Sequence, residues 1–164
     1  MSTREETLNL ILDTVKPEDL VIACNGRLGR ELFELRVRRE EPNDDFILLG
    51  AMGCALGVAI GVAMNTNRRV FCLLGDGNFL MKMGSLATFM NLYPRNLIVY
   101  VLNNGCYDST GGQETSFEAI RQILPQMYNF RVVEIEHGTR PDLGRPTHSG
   151  AEMTRRFRQK CASF

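Results

Sequence analysis

Residues 71 to 113 read FCLLGDGNFLMKMGSLATFMNLYPRNLIVYVLNNGCYDSTGGQ, and the fold turns on how this stretch is read. Phe71 to Leu74 is a short apolar strand, and the Gly75-Asp76-Gly77-Asn78 that follows has the composition of a tight hairpin turn. A hairpin needs its second strand at once. Met83, Leu86, Ala87 and Met90 instead recur at i, i+3, i+4 and i+7, with Phe79 and Leu80 on the same side, which is a helical pattern. Next comes Leu97 to Leu102, β-branched and apolar like a strand covered on both faces, and then Asn103-Asn104-Gly105. Strand, glycine turn, helix and strand make a right-handed crossover. Both polar tips then lie at the carboxyl edge of a parallel sheet, where open α/β proteins bind ligands.

The flanking sequence continues the alternation. Thr3-Arg-Glu-Glu6 is a capping box, and Leu8, Ile11, Leu12 and Val15 form one stripe, so a first helix is expected to run to about Val15. Asp19 to Cys24 reads as a buried strand ending at Asn25-Gly26. Leu28, Leu32 and Leu35 restore helical spacing, Arg38 to Asp45 is loop, and Phe46 to Leu49 is a second strand closed by Gly50. Beyond the central unit, Thr115-x-x-Glu118 reads as the cap of a helix with Ile120, Ile123, Leu124 and Met127 inward. Phe130 to Ile135 is the last strand, residues 140 to 146 form a proline-bearing turn, and Ser149-x-x-Glu152 opens a helix with Met153, Phe157 and Cys161 inward. The expected architecture is α/β, a doubly wound parallel sheet with helices on both faces, occupying residues 1–164 as a single domain.

Ile47 to Met64 carries no charged side chain and is long enough to span a bilayer, with Gly53, Gly57 and Gly61 spaced like a helix-dimer face. Its richness in glycine and alanine argues against a span. We expect a buried helix whose glycine face admits a backbone or ligand at close range. Lysine plus arginine and aspartate plus glutamate both total 19, so no charge imbalance points to nucleic acid or an anionic membrane. The five cysteines, Cys24, Cys54, Cys72, Cys106 and Cys161, are scattered and odd in number, which fits reduced thiols in a cytoplasmic protein, most simply as core residues. The N-terminus opens on charged residues rather than on a signal-peptide pattern.

Asp76 and Asn104 are hard oxygen donors of the kind magnesium prefers, with phosphate oxygens and water completing an octahedron. Singly, Asp76 reads as a helix cap and Asn104 as a turn residue. Placed at the ends of adjacent strands they read together as a metal and phosphate site.

Gly75-Asp76-Gly77, a spacing of about twenty-five residues and Asn103-Asn104 resemble the diphosphate-binding motif of thiamine diphosphate enzymes. Gly50-Ala51-Met52-Gly53 resembles the segment that grips the aminopyrimidine of that cofactor. Gly26-x-x-x-Arg30-Glu31-Leu32-Phe33-Glu34, Ser109-Thr-Gly-Gly-Gln113 and Arg140-Pro-Asp-Leu-Gly-Arg145-Pro146 are similar to the cofactor-binding half of phosphonopyruvate and sulfopyruvate decarboxylases. The resemblance implies thiamine diphosphate and Mg2+ as cofactors, with Asp76, the Asn104 side chain and the Cys106 carbonyl as metal ligands. It further implies that Gly77 and Asn78, with Asn25 and Gly26, receive the diphosphate, that the Gly50 carbonyl accepts from the cofactor's amine, and that Met52 is the wedge that bends the cofactor.

One position departs from the pattern, since Gly29 stands where the family has serine. The catalytic glutamate of such enzymes comes from a pyrimidine-binding domain, which this sheet leaves no room for. The resemblance therefore implies a partner subunit supplying that glutamate, in a hetero-oligomer acting on a small 2-oxo acid. A carboligase subunit and a non-catalytic cofactor-binding module remain as alternatives, although Asn25-Gly-Arg-Leu-Gly29 lacks the nucleotide-binding glycine fingerprint. His137 and His148 read as solvated or capping residues, and Arg140 and Arg145 as either surface structure or bidentate partners for a phosphonate or sulfonate.

Overall fold

The computed structural model describes residues 1–138 and 141–163, so Arg140 lies outside the described residues. A five-stranded parallel sheet runs through the molecule in the order β2-β1-β3-β4-β7. Its strands are β1 (Leu20–Ala23), β2 (Phe46–Ile47), β3 (Val70–Gly75), β4 (Leu97–Asn103) and β7 (Phe130–Glu134). A two-stranded antiparallel hairpin, β5 (Cys106–Tyr107) and β6 (Gln113–Glu114), stands apart. The sheet and its helices form the doubly wound arrangement expected from the alternating pattern.

Two helices, α1 (Arg4–Leu12) and α2 (Arg27–Arg38), pack on each other. A second pair, α3 (Ala55–Ala63) and α5 (Gly84–Leu92), does the same, while α4 (Asp76–Met81) leans on β3 and β4. The short α6 (Phe117–Ile120) touches α4, and α7 (Gly150–Ala162) packs on β2. The core sits in the two central strands, where Phe71, Cys72, Leu73, Leu74, Val99, Val101 and Leu102 are all buried. Each leucine or phenylalanine so buried contributes about 1.5–3 kcal/mol. At the far end of α2, Arg36 donates twice to Asp45 at 2.8 and 2.9 Å, a buried fork that fixes the entry to β2.

Several expectations are corrected. The capping box at Thr3 and Glu6 is present, but α1 stops at Leu12 because Thr14 and Val15 bond back only three residues, tightening the end into a turn. The stretch after Gly75 is two helices rather than one. Lys82 leaves helical geometry at φ −143° and ψ 48°, which resets the phase, so Leu86 and Phe89 face inward while Ala87 and Met90 face solvent. Gly53 precedes α3, and Gly57 and Gly61 lie on its exposed side. Nothing approaches Gly61 within 4 Å, and the nearest atom to a Cβ at Gly57 is the Ser85 hydroxyl at 3.8 Å. The inner face of α3 is Ala55, Leu56, Ala59, Ile60 and Ala63 instead. Thr115 does not cap α6, Ile123 is exposed, and Cys161 is exposed on the outer side of α7 while Met153 and Phe157 are buried. Of the cysteines only Cys24 and Cys72 are core residues, and all five are free. No helix among the described residues is long and apolar enough to cross a membrane.

Candidate active site

Strand β1 connects outward to β2, and the chain then returns past β1 to β3, so the order reverses between β1 and β3. Open α/β sheets bind ligands at that switch point. Here the carboxyl ends of β1, β3 and β4 border a solvent-open cleft. Asn25 and Gly26 enter it from β1, Gly75 to Asn78 from β3, Asn104 and Cys106 from beyond β4, and Met52 from the loop before α3. Gly50 is the predicted site residue that the cleft does not include. It lines an adjoining depression shared with Asn25, Gly26 and Arg145.

The register explains the convergence. Gly75 pairs with Leu102, so Asp76 and Asn104 leave the sheet side by side. The Asp76 side chain is buried at 2% exposure, and no arginine or lysine pairs with it among the described residues. Burial pushes its pKa up, opposed by the Thr115 hydroxyl, which donates to Oδ2 at 2.6 Å, and by backbone N–H groups including those of Gly77 and Asn104. A buried carboxylate with no counter-charge is costly and is relieved by taking up a proton or a cation.

Asn104 is oriented by a neighbour. Its Nδ2 donates to Oδ2 of Asp108 at 2.6 Å, and because a carboxylate only accepts, the amide must turn its nitrogen to Asp108 and its Oδ1 elsewhere. Oδ1 accepts from the Cys106 N–H at 3.3 Å and keeps a second lone pair. Asp108 is itself held by Arg4, which donates to the same Oδ2 at 2.6 Å and to Glu31 at 2.9 Å. Glu31 on α2, Arg4 on α1 and Asp108 are all buried, so the chain of contacts sits in a low dielectric where it rigidifies. Sequence reasoning missed Arg4, Asp108 and Thr115. Arg4 and Thr115 stand inside capping patterns, and Arg4 meets Asp108 across 104 residues, beyond any local signal.

The remaining wall is shaped by close approaches. A Cβ at Gly77 would strike the Tyr107 ring, so only glycine brings α4 this near the hairpin. A Cβ at Gly29 would fall 2.6 Å from the Cys24 carbonyl and 2.7 Å from Ile47, so a side chain there would displace α2. The hydroxyl at the start of α2 comes from another segment, because Ser109 accepts from the Arg27 N–H at 3.2 Å. Asn78 donates to Asn25 at 2.9 Å, while its own Oδ1 is buried in the cleft wall with no partner. Burial pushes the Cys24 thiol up to about 11, so it lines the cleft as a neutral group. His148 packs edge-on against Phe33, away from the cleft. His137 is exposed, yet its Nδ1 lies 2.9 Å from Asp108 and 2.7 Å from the Cys106 sulfur.

A family profile described as "Thiamine pyrophosphate enzyme, C-terminal TPP binding domain" matches residues 25–160. The chain belongs to this family. It is 41% identical to a phosphonopyruvate decarboxylase of Streptomyces hygroscopicus over 118 residues, 72% of this chain and 28% of the relative. A phosphonopyruvate decarboxylase of Streptomyces viridochromogenes is 34% identical, covering 95% of this chain and 45% of its own length. The sulfopyruvate decarboxylase subunit beta of Methanothermobacter thermautotrophicus is 41% identical over 104 residues, 63% of this chain and 54% of its own. The chain thus spans about half or less of these relatives. As a thiamine diphosphate-binding domain it has oxygen donors that would fit a cation bridging to the diphosphate: a buried carboxylate with no arginine or lysine on it among the described residues and an oriented amide oxygen around one cleft.

Proposed function

We propose that this chain is the diphosphate- and magnesium-binding subunit of a two-chain thiamine diphosphate-dependent 2-oxo acid decarboxylase, with substrates of the sulfopyruvate or phosphonopyruvate kind. The observation that carries the reading is the buried Asp76 carboxylate, with no arginine or lysine on it among the described residues, beside an Asn104 amide whose Oδ1 is turned away from Asp108 and keeps a lone pair. Asp76, Asn104 Oδ1 and the Cys106 carbonyl would hold Mg2+, all hard oxygen donors. The N–H groups of Gly77 and Asn78 in the first turn of α4, with Asn25 and Gly26 across the cleft, would receive the diphosphate. Gly50 and Met52 would cradle the aminopyrimidine. When bound, the cofactor would supply a nucleophilic carbon and an electron sink for the bonding pair left behind when carbon dioxide departs.

Partner dependence has its own support. The acids lining the cleft are Asp76 and Asp108, both engaged, and no glutamate lines it among the described residues. Leu49 and Met52 near the cleft, and Met64 and Met90 along the outer side of α3 and α5, are 45–58% exposed. Such apolar surface suits a covering subunit, which would bring the glutamate and exclude water. Relatives named subunit beta agree with this arrangement. The five free thiols suit a cytoplasmic setting. The test is to titrate thiamine diphosphate calorimetrically with and without magnesium, then assay sulfopyruvate and phosphonopyruvate decarboxylation by the chain alone and with a candidate partner. We expect magnesium-dependent binding by this chain and turnover only on mixing. Full activity from this chain alone would overturn the split-site reading.

A further inference from the structure

Three ligand atoms converge beside the cleft in an arrangement that the cofactor site does not use. The Cys106 Sγ lies 2.7 Å from His137 Nδ1, the same Nδ1 lies 2.9 Å from Asp108 Oδ1, and Sγ lies 3.9 Å from Oδ1. These contacts coexist as hydrogen bonds only where an Nδ1–H is shared between the sulfur and the carboxylate, with the thiol turned to the Asn104 carbonyl at 3.2 Å. A thiol donating to Nδ1 needs that nitrogen bare, whereas Nδ1 donating to the carboxylate needs it protonated. Nor is this a cysteine–histidine–aspartate nucleophile, because in that arrangement thiol and carboxylate engage opposite ring nitrogens. Here both meet the same one.

We propose that Cys106, Asp108 and His137 form a binding site for a soft divalent cation, zinc, separate from the magnesium ligands of the cleft. Thiolate, imidazole and carboxylate are the donors that zinc takes at about 2.0–2.3 Å, and a tetrahedral ion with such bonds sets its ligand atoms roughly 3.3–3.6 Å apart. The three separations found here bracket that range. His137 is 60% exposed, so its ring is free to back away and open the short edges. On binding, the Cys106 S–H bond breaks, its proton passes to solvent, and the sulfur's electron pair forms the bond to the metal. Neutral Nδ1 and the Asp108 carboxylate supply the other two bonds, and two negative ligands balance the ion's charge. Asp108 can serve both neighbours, since Oδ2 stays on Arg4 and Asn104 while Oδ1 faces the cluster. Cys106 can do the same, offering its sulfur here and its carbonyl to the cleft. Three protein ligands leave the fourth position to water.

The site does not depend on the proposed decarboxylase function, and the probe is the metal alone. Cobalt(II), which reports thiolate ligation by a charge-transfer band in the near ultraviolet, is titrated into the full chain without thiamine diphosphate or magnesium, and zinc is then used to displace it. We expect one equivalent bound with the thiolate band, the band lost in Cys106→Ser, affinity at least tenfold weaker in His137→Ala, and no change in Cys161→Ser. His137 is exposed, so His137→Ala decides the matter if Cys106→Ser fails to fold. No band in the wild-type chain, a band retained by Cys106→Ser, or equal affinity in His137→Ala would each overturn the assignment.

Discussion

The hydroxyl of Thr115 donates to Oδ2 of Asp76 at 2.6 Å, tying the segment after the β5–β6 hairpin to the carboxyl end of β3. Burial raises the Asp76 pKa and this hydrogen bond lowers it. Magnesium needs the ionised form, so its affinity should fall as pH falls through a window above the ordinary carboxylate range. Thr115→Val moves that window further up. A hydrogen bond to a charged group is worth about 1.5 kcal/mol, so the pH at which magnesium affinity falls off should rise by about one unit. Calorimetric titration of magnesium with thiamine diphosphate, repeated across pH, checks this; identical profiles for the two proteins would contradict it. By the same sign, the stability that the protonated Asp76 contributes to the metal-free protein is lost as pH rises through its raised pKa.

Met52 is 58% exposed at the cleft, so truncating it removes little core packing. Met52→Ala should therefore change stability by no more than about 0.5 kcal/mol, as surface substitutions do. If the side chain is the wedge under the cofactor, turnover of the reconstituted enzyme should fall steeply in Met52→Ala and mildly in Met52→Leu, which keeps the volume. Equal turnover by the two variants would remove Met52 from that role.

Gly29 sits where a side chain would meet the Cys24 carbonyl and Ile47. Restoring the family's serine by Gly29→Ser should cost about 1–3 kcal/mol through forced displacement of α2 from β1 and β2. A thermal melt reads it directly. An unchanged Tm would mean that the backbone yields at no cost and that the departure from the family pattern has another cause.

How much of this was legible in the sequence depends on the range over which each signal acts. The five sheet strands follow from short apolar runs between turn residues, and the convergence of Asp76 with Asn104 follows from right-handed crossover alone. What failed was rotational phase. One residue out of helical geometry at Lys82 turned Met90 outward, and no periodicity within residues 79 to 90 marks the break. The glycine spacing at 53, 57 and 61 suggested a close-approach face, yet Gly57 and Gly61 are exposed, because burying Leu56 and Ile60 on the opposite side removes more apolar surface from water. Arg4, Asp108 and Thr115 were hidden for a different reason. Arg4 and Thr115 each stand in a capping pattern that accounts for them, while their partners Asp108 and Asp76 lie 104 and 39 residues away.

The Arg4 to Asp108 contact also bears on the order in which the molecule can assemble. Contacts between residues far apart in sequence carry a larger closure entropy and tend to form late. Arg4 is near the start of the chain, Asp108 lies 104 residues on, and the bridge from Ser2 to Ile135 spans still more. During synthesis, β1 and β3 can pair before this wall exists. The first turn of α1 must wait for the last strand to emerge before Arg4 has its full setting. A nascent chain would thus carry Asp76 on a formed strand while Asn104 still turned freely, and cofactor capture would come at the end of folding rather than guide it.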